Sequence, residues 1–170
     1  KMRWVEEVYS TKKLTRLVVL SALAIVFRIV FGAFPNIKPV TAIFLVSLSH
    51  FTLFEGWILM GLTMIGSGLL FGFGVVVLWQ VLSFGLVQLI WWILIRPQIL
   101  KERIPLWLQS LLAGCFVFVY GMSISLLTAI QFGIHPIIYW LNGIVFDCLH
   151  MISTVLFYPI IYHVFRRFYK

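Results

Sequence analysis

Three charged residues lie inside or beside long apolar runs, and they are the first candidates for chemistry. Arg28 falls within the run 14–32, Asp147 falls within the run 137–164, and Lys38 lies between the two prolines of FPNIKPVTAI. An arginine at the centre of a membrane helix costs about 2.5–3.5 kcal/mol on insertion scales, and less toward the interface. Two interpretations of Arg28 and Asp147 therefore stay open: a structural ion pair, or contacts to a bound molecule.

Asp147 belongs to a polar set within the last apolar run. Asp147, His150 and Thr154 have the spacing i, i+3 and i+7, which places them on one face of a helix. A metal site is not indicated, because DCLH has no further ligands at suitable spacing. IGSG at 65–68 lacks the first glycine of the G-x-S-G pattern of rhomboid proteases, and no paired acids, P-loop or zinc motif appears. The sequence thus predicts no catalytic residue, no metal and no cofactor in this chain.

Polar and aromatic residues gather at three breaks between apolar runs, in FPNIKPVTAI, FGFGVVVLWQ and QFGIHPIIYWLN. Each has a simpler explanation, since prolines make turns and tryptophan and tyrosine form interfacial belts. An amide inside a membrane span, such as that of Gln80, needs a hydrogen-bond partner, however. The concentration of polar and aromatic residues at these breaks is typical of an apolar pocket with a few placed polar groups. The candidate substrate-binding residues are Arg28, Asn36, Lys38, Trp79, Gln80, His135, Tyr139, Trp140, Asn142 and Asp147.

The composition indicates which solvent surrounds these residues. Of the 170 residues, 62% are hydrophobic and 11% are charged, whereas soluble domains are about 45–50% apolar. Lipid is therefore the solvent for most of the chain. The net charge of +8 does not indicate nucleic-acid binding, because the cations cluster at the ends of apolar runs. Cys115 and Cys148 form no C-x-x-C pair and act as small hydrophobic residues.

The apolar runs predict an all-α membrane protein with six transmembrane helices, since one span needs about 20 apolar residues. The first run is too long for a signal peptide and lacks a cleavage site. The 57 residues 39–95 supply three spans, with breaks at FEGW and FGFGV. Two more spans follow the polar stretch RPQILKERIP and are separated by QFGIHP. The expected organisation is a cytosolic arm (1–13), one membrane domain (14–165) and a basic cytosolic C-terminus (166–170).

The distribution of cations predicts the orientation. Eleven of the 13 lysines and arginines lie in the N-terminal arm, in the fourth-to-fifth loop and at the C-terminus. These three groups share one side only if even numbers of spans separate them, and the positive-inside rule makes that side cytosolic. Both termini are therefore expected in the cytosol, and Lys38 is expected in the first outward-facing loop.

The chain resembles, over about residues 12 to 168, the S component of an energy-coupling factor (ECF) vitamin transporter. LTRLVVLSALAIVFRIVFGAFPN resembles the alanine-rich opening helix of that family. PNIKPVTAI resembles its first loop and the start of its second helix, and FGFG with the later WQ resembles the turn and opening of its fourth helix. The size, six spans and internal termini also agree.

The resemblance implies a subunit in a bacterial cytoplasmic membrane that captures a vitamin without being an enzyme. Its expected partners are a membrane T component and two cytosolic ATPase subunits, which use ATP, and the S component is expected to topple in the bilayer. The family's A-x-x-x-A contact with the T component is not matched, and the nearest residues here are Leu20, Ala22 and Ala24.

The expected vitamin is cobalamin, because a positive outer half favours a carboxylate or phosphate and broad aromatic side chains suit a wide, flat ligand. The amides of Gln80 and Asn142 suit its many amide groups. The alternatives are another vitamin, such as riboflavin or pantothenate, and, further off, an intramembrane enzyme or a self-contained carrier.

Overall fold

The computed structural model describes residues 11–168, and within that range every regular element is a helix. The N-terminal residues 1–10 of the predicted arm and the last two residues lie outside the described range. A five-residue π-helical segment, Trp91–Ile95, joins two of the helices without a break. The α-helices are α1 (Thr11–Val30), α2 (Val40–Ser47), α3 (Leu53–Phe71), α4 (Val75–Ile90), α5 (Arg96–Leu100), α6 (Leu106–Phe132) and α7 (Pro136–Phe168).

Four helices are long and apolar enough to cross a membrane: α3, the continuous unit from α4 to α5, α6 and α7. The chain is therefore a membrane protein with an all-helical architecture. α1 has 20 residues but contains four cations. α2 has eight residues and is about 12 Å long, less than half the hydrocarbon thickness of a bilayer.

α2 forms the centre of the core. All eight of its residues are buried, and it packs against α1, α3, α6 and α7. It follows Pro39 and ends before the polar residues Ser49 and His50, which explains why the helix is short. The second span, expected to be one membrane-crossing helix, is instead a short internal helix with irregular segments on both sides.

The break between α2 and α3 lies earlier than FEGW, where we predicted it. The non-helical residues are 48–52, and Glu55 stands in the first turn of α3. The backbone N–H of Thr52 donates to Glu55 Oε2 at 2.8 Å, and the N–H of Glu55 donates to Thr52 Oγ1 at 3.3 Å. This is a capping box, so the charge of Glu55 starts a helix rather than ending one.

The other predicted breaks are confirmed in two cases and shortened in a third. Gly72 and Gly133 end α3 and α6 with φ angles of 100° and 66°, which L side chains rarely adopt. The polar stretch 96–105 was predicted to be a loop, but Arg96–Leu100 continues the helical unit from α4. Arg96 is held there because its Nε donates to Leu48 O at 2.7 Å and its guanidinium lies 3.6 Å above the ring of Trp92.

Two ends of the bundle can now be distinguished. The basic end comprises the start of α1, the segments 48–52 and 101–105, and the end of α7. The opposite end comprises the segments 72–74 and 133–135. The proline loop 31–39 follows the end of α1 that points toward it. Lys13 Nζ and Glu55 Oε1 form an ion pair at 3.4 Å at the basic end, which connects α1 with α3.

Candidate functional site

The candidate site is a group of polar side chains in the interior, here called the central cluster: Arg28, Lys38, Gln80, Tyr120, Asp147 and His150. It draws on α1, the proline loop, α4, α6 and α7. Five elements therefore meet at one place, where most of the surrounding side chains are apolar.

Arg28 projects from α1 toward α3 and α4. Its Nη1 donates to the Met64 sulfur at 2.9 Å, and its Nη2 donates to Gln80 Oε1 at 3.3 Å. The buried Nε has no hydrogen-bond partner among the described residues. The amide of Gln80 thus finds the partner that the sequence predicted it to need. A thioether and a neutral amide do not compensate the charge of the guanidinium.

Asp147 lies on the other side of the cluster, at the contact between α6 and α7. Its carboxylate is buried against Gly121, where even the methyl group of alanine would collide with the carboxylate oxygens. Trp140 Nε1 donates to Asp147 Oδ2 at 3.1 Å. The indole of Trp140 therefore points inward and is not simply a belt residue.

The ion pair between Arg28 and Asp147, one of the two interpretations of these residues, is not formed within the described structure. Arg28 turns toward Met64 and Gln80, whereas Asp147 is held by the notch at Gly121. Tyr120 interacts electrostatically with both Arg28 and Asp147.

His150 is anchored to the central helix α2. Its Nε2 and Thr41 Oγ1 share a hydrogen bond at 2.7 Å, in which the tautomer decides which group donates. The ring of Tyr120 packs edge-on against the imidazole, with a centroid distance of 5.6 Å. Asp147, His150 and Thr154 are all buried, which confirms that they share one inward face of α7.

Lys38 is fixed by its backbone rather than by its side chain. Its N–H donates to Ser153 Oγ at 2.9 Å, and the Ser153 hydroxyl donates to Lys38 O at 3.1 Å. Asn36, with φ 56°, donates from Nδ2 to Phe146 O at 3.1 Å. The proline loop therefore rests against the middle of α7. Burial, followed by the positive charge of Arg28, lowers the pKa of the Lys38 ammonium.

The remaining predicted site residues lie outside the central cluster. Trp79 Nε1 donates to Gln131 Oε1 at 2.6 Å, so this pair links α4 with α6 near the opposite end. His135, just before α7, and Tyr139 and Asn142, in its first two turns, are exposed, and among the described residues no hydrogen bond joins their side chains to the cluster. Five predicted residues therefore lie in the central cluster or are hydrogen-bonded to it: Arg28, Lys38, Gln80, Trp140 and Asp147. Asn36 is bonded to α7 nearby. The other four predicted residues, Trp79, His135, Tyr139 and Asn142, lie outside.

Three residues of the site were missed by sequence reasoning: Met64, Tyr120 and Gly121. Tyr120 and Gly121 lie next to each other in an apolar run, and a tyrosine in such a run was the signal that could have drawn attention. The role of Gly121 depends on Asp147 of the neighbouring helix, so sequence alone did not mark it.

The predicted partner-contact residues on α1 divide between surface and interior. Ala24 is 0% exposed, so it cannot contact another protein in this conformation. Ala22 is exposed, together with its neighbour Leu23. Leu20 is largely buried but lines a groove of about 360 Å³ between α1 and α7.

A polar cavity of about 550 Å³ opens at the basic end, and no residue of the central cluster is among those that line it. Its lining includes Ser49, His50, Glu102, Gln109, Tyr162 and Arg166. No group of three or more metal-ligating side chains occurs among residues 11–168. Comparison with models of known families, with curated proteins and with solved structures finds no match to this chain.

Proposed function

We propose that this chain is the substrate-capturing S component of an ECF-type importer and that it binds an anionic vitamin, cobalamin above others, from the outer side of the membrane. The observation that carries the proposal is the pair Arg28 and Lys38. Burial and, after it, the positive charge of the nearby Arg28 lower the pKa of Lys38, and no carboxylate pairs with either cation in the described structure.

The charge balance favours an anion. Buried charges in membrane proteins usually pair with a counter-charge or mark a substrate site. Asp147 is engaged by Trp140 and Gly121 instead of by Arg28. A carboxylate or phosphate placed between Arg28 and Lys38 would supply the missing counter-charge. A cationic vitamin such as thiamine would meet two like charges there.

Cobalamin suits these groups because it combines a phosphate with a wide corrin and many amides. The phosphate would face Arg28 and Lys38, and Gln80 has an amide N–H₂ to offer to a ligand carbonyl. Trp79 and Tyr139, nearer the opposite end, supply aromatic surface for a broad ring system. Riboflavin, pantothenate and other vitamins are the competing ligands.

Six crossings with both termini in the cytosol complete the proposal. In this proposal the four clearly apolar helical units and α1 would provide five crossings. The sixth would be the chain from the proline loop through the short helix α2 to residues 48–52. The basic end then faces the cytosol, in line with the positive-inside rule. The chain's partners would be a membrane T component and two ATPase subunits, since the chain carries no ATP-binding motif.

The groove between α1 and α7 supports the docking of such a partner. Val19, Leu20 and Leu23 of α1 line it together with residues of α7, and Ala22 is exposed on the same helix. The small side chain of Ala22 lets another helix approach closely. Ala22→Leu should therefore block uptake while leaving vitamin binding to the isolated subunit intact, whereas uptake equal to that of the wild type would contradict the docking surface.

Two experiments test the proposal. Calorimetry on the purified chain, with cobalamin beside riboflavin and pantothenate, should show tight binding of cobalamin. Tight binding of another vitamin, with none of cobalamin, would overturn the choice of ligand. Co-purification distinguishes an S component from a self-contained carrier. An S component should co-purify with ATPase subunits, whereas a self-contained carrier transports without them.

A further inference from the structure

A line of polar side chains runs down the inside of α7, away from the central cluster. Asp147, His150, Thr154 and Tyr158 follow one another at spacings of three or four residues, and all four are buried. Together with Gln109 of α6 they are called the polar seam here. From Asp147 to Tyr158 the seam covers about 16 Å along the helix axis, roughly half the thickness of the hydrocarbon core.

The lower end of the seam reaches the polar cavity at the basic end. The Tyr158 hydroxyl donates to Gln109 Oε1 at 3.3 Å, and Gln109 Nε2 donates to Ile104 O at 3.0 Å. Gln109 lines that cavity, as does Tyr162, one turn beyond Tyr158 on α7. The seam therefore has one end in the central cluster and the other in a space open toward the basic end.

Two buried polar groups in this region have no hydrogen-bond partner in the part of the chain that the structure describes. They are the hydroxyl of the seam residue Thr154 and the indole N–H of Trp91, which lies against Tyr158. Both residues are 0% exposed, and the rings of Trp91 and Tyr158 lie 6.0 Å apart. Buried polar groups are normally hydrogen-bonded, so these two point to a small polar ligand between the π-helical segment Trp91–Ile95 and α7.

A ligand at this place lies inside the protein, because Thr154, Tyr158 and Trp91 are all 0% exposed. Water is small enough, and it bridges buried polar groups when two to four partners surround it. Buried acids and histidines in membrane helices are the residues that commonly relay protons.

We propose that the polar seam binds a file of water molecules that carries protons between the central cluster and the polar cavity at the basic end. In each step an oxonium ion gives a proton to the next water or hydroxyl oxygen, which releases its own proton onward. Only O–H bonds form and break, so no oxidant or reductant is needed. At the upper end Asp147 takes up or releases the proton. Tyr120 interacts electrostatically with both Asp147 and Arg28, and His150 interacts with Lys38.

The proposal does not depend on the vitamin-binding function and is tested without a vitamin. The purified chain is reconstituted into vesicles that contain a pH-sensitive dye, and a potassium gradient with valinomycin drives protons inward. We expect internal acidification to be severalfold faster than in protein-free vesicles. A rate equal to that of protein-free vesicles would overturn the proposal.

Matched variants locate the route. Thr154→Val and Tyr158→Phe remove one hydroxyl each at nearly constant shape and should lower the proton flux about tenfold, as expected for the loss of one hydrogen-bonding group. Thr128→Val is the control, because the Thr128 hydroxyl donates to Ile124 O of its own helix, outside the seam. Equal flux in all three variants would place the proton route elsewhere and overturn the assignment to the seam.

Discussion

The basic end of the bundle and the central cluster hold their charged groups differently. At the basic end Glu55 closes a capping box and pairs with Lys13, and Arg96 donates to a backbone carbonyl and lies over an indole ring. In the central cluster Arg28 has a thioether and an amide as partners, and Lys38 has a second cation as its electrostatic neighbour. Compensated charges thus hold helices together at one end, whereas uncompensated charges remain available in the cluster.

This difference separates architecture from function. A charge that completes a cap or an ion pair lowers the free energy of the folded state. A buried charge without a counter-charge raises it, and proteins keep such charges mainly where a ligand or a mechanism uses them. Removal of a charge should therefore destabilise the protein at the basic end and stabilise it in the central cluster.

Gly121→Val is expected to have the largest effect on stability. A side chain at this position collides with the Asp147 carboxylate and pushes α6 and α7 apart, and such overpacking costs about 1–3 kcal/mol. The measurement is the unfolding midpoint in a detergent titration. Gly143→Ala is the control, because its methyl group would meet no atom within 4 Å, and it should leave the midpoint unchanged or raise it. Equal midpoints for both variants would show that Asp147 is not seated as described.

Arg28→Met is expected to stabilise the unliganded protein. It removes an uncompensated charge while keeping a long flexible side chain beside Met64, and the gain should be about 1–2 kcal/mol, below the cost of an arginine at a helix centre. The same variant should lose its affinity for an anionic ligand. A lower midpoint in the unliganded state would mean that Arg28 has a compensating partner after all.

Thr52→Ala tests the compensated end. Loss of an N-cap hydroxyl typically costs about 1 kcal/mol, so the unfolding midpoint should fall while ligand binding stays unchanged. Thr15→Ala serves as a reference, because the Thr15 hydroxyl donates within α1 to Thr11 O at an exposed position. If both variants lose the same stability, the capping box contributes nothing particular to α3.

Lys13→Met should have the smallest effect. Lys13 is 45% exposed and its ion pair with Glu55 is partly solvated, so its removal should cost less than about 0.5 kcal/mol. The effect should shrink further at high salt, which screens exposed pairs. A large loss that does not depend on salt would indicate that this pair is a main support of the α1–α3 contact.

The sequence predicted helical content, a membrane environment and two of the breaks well, because these depend on local features. Apolar runs require lipid, and glycines such as Gly72 and Gly133 adopt φ angles that other residues avoid. The capping signature T-x-x-E at 52–55 is also a local feature, and it explains why the charge of Glu55 starts α3 and does not break a helix as predicted.

The errors in the site have a different origin, since they depend on how whole helices rotate and pack. The shared face of Asp147 and His150 follows from helical periodicity and is confirmed. Whether Arg28 meets Asp147 depends on the rotation of α1 against α7, which no local pattern encodes. The burial of Ala24 and the notch at Gly121 likewise depend on neighbouring helices.

The central claim is that uncompensated positive charge in the cluster binds an anionic vitamin, and calorimetry with cobalamin on three proteins tests it most directly. The wild type should bind tightly, and Lys38→Glu should bind at least about tenfold more weakly, because a repulsive carboxylate replaces an attractive ammonium. Lys101→Glu makes the same change at an exposed position of the basic end and should bind like the wild type. Equal affinity in all three proteins, or no binding to the wild type, would contradict the claim.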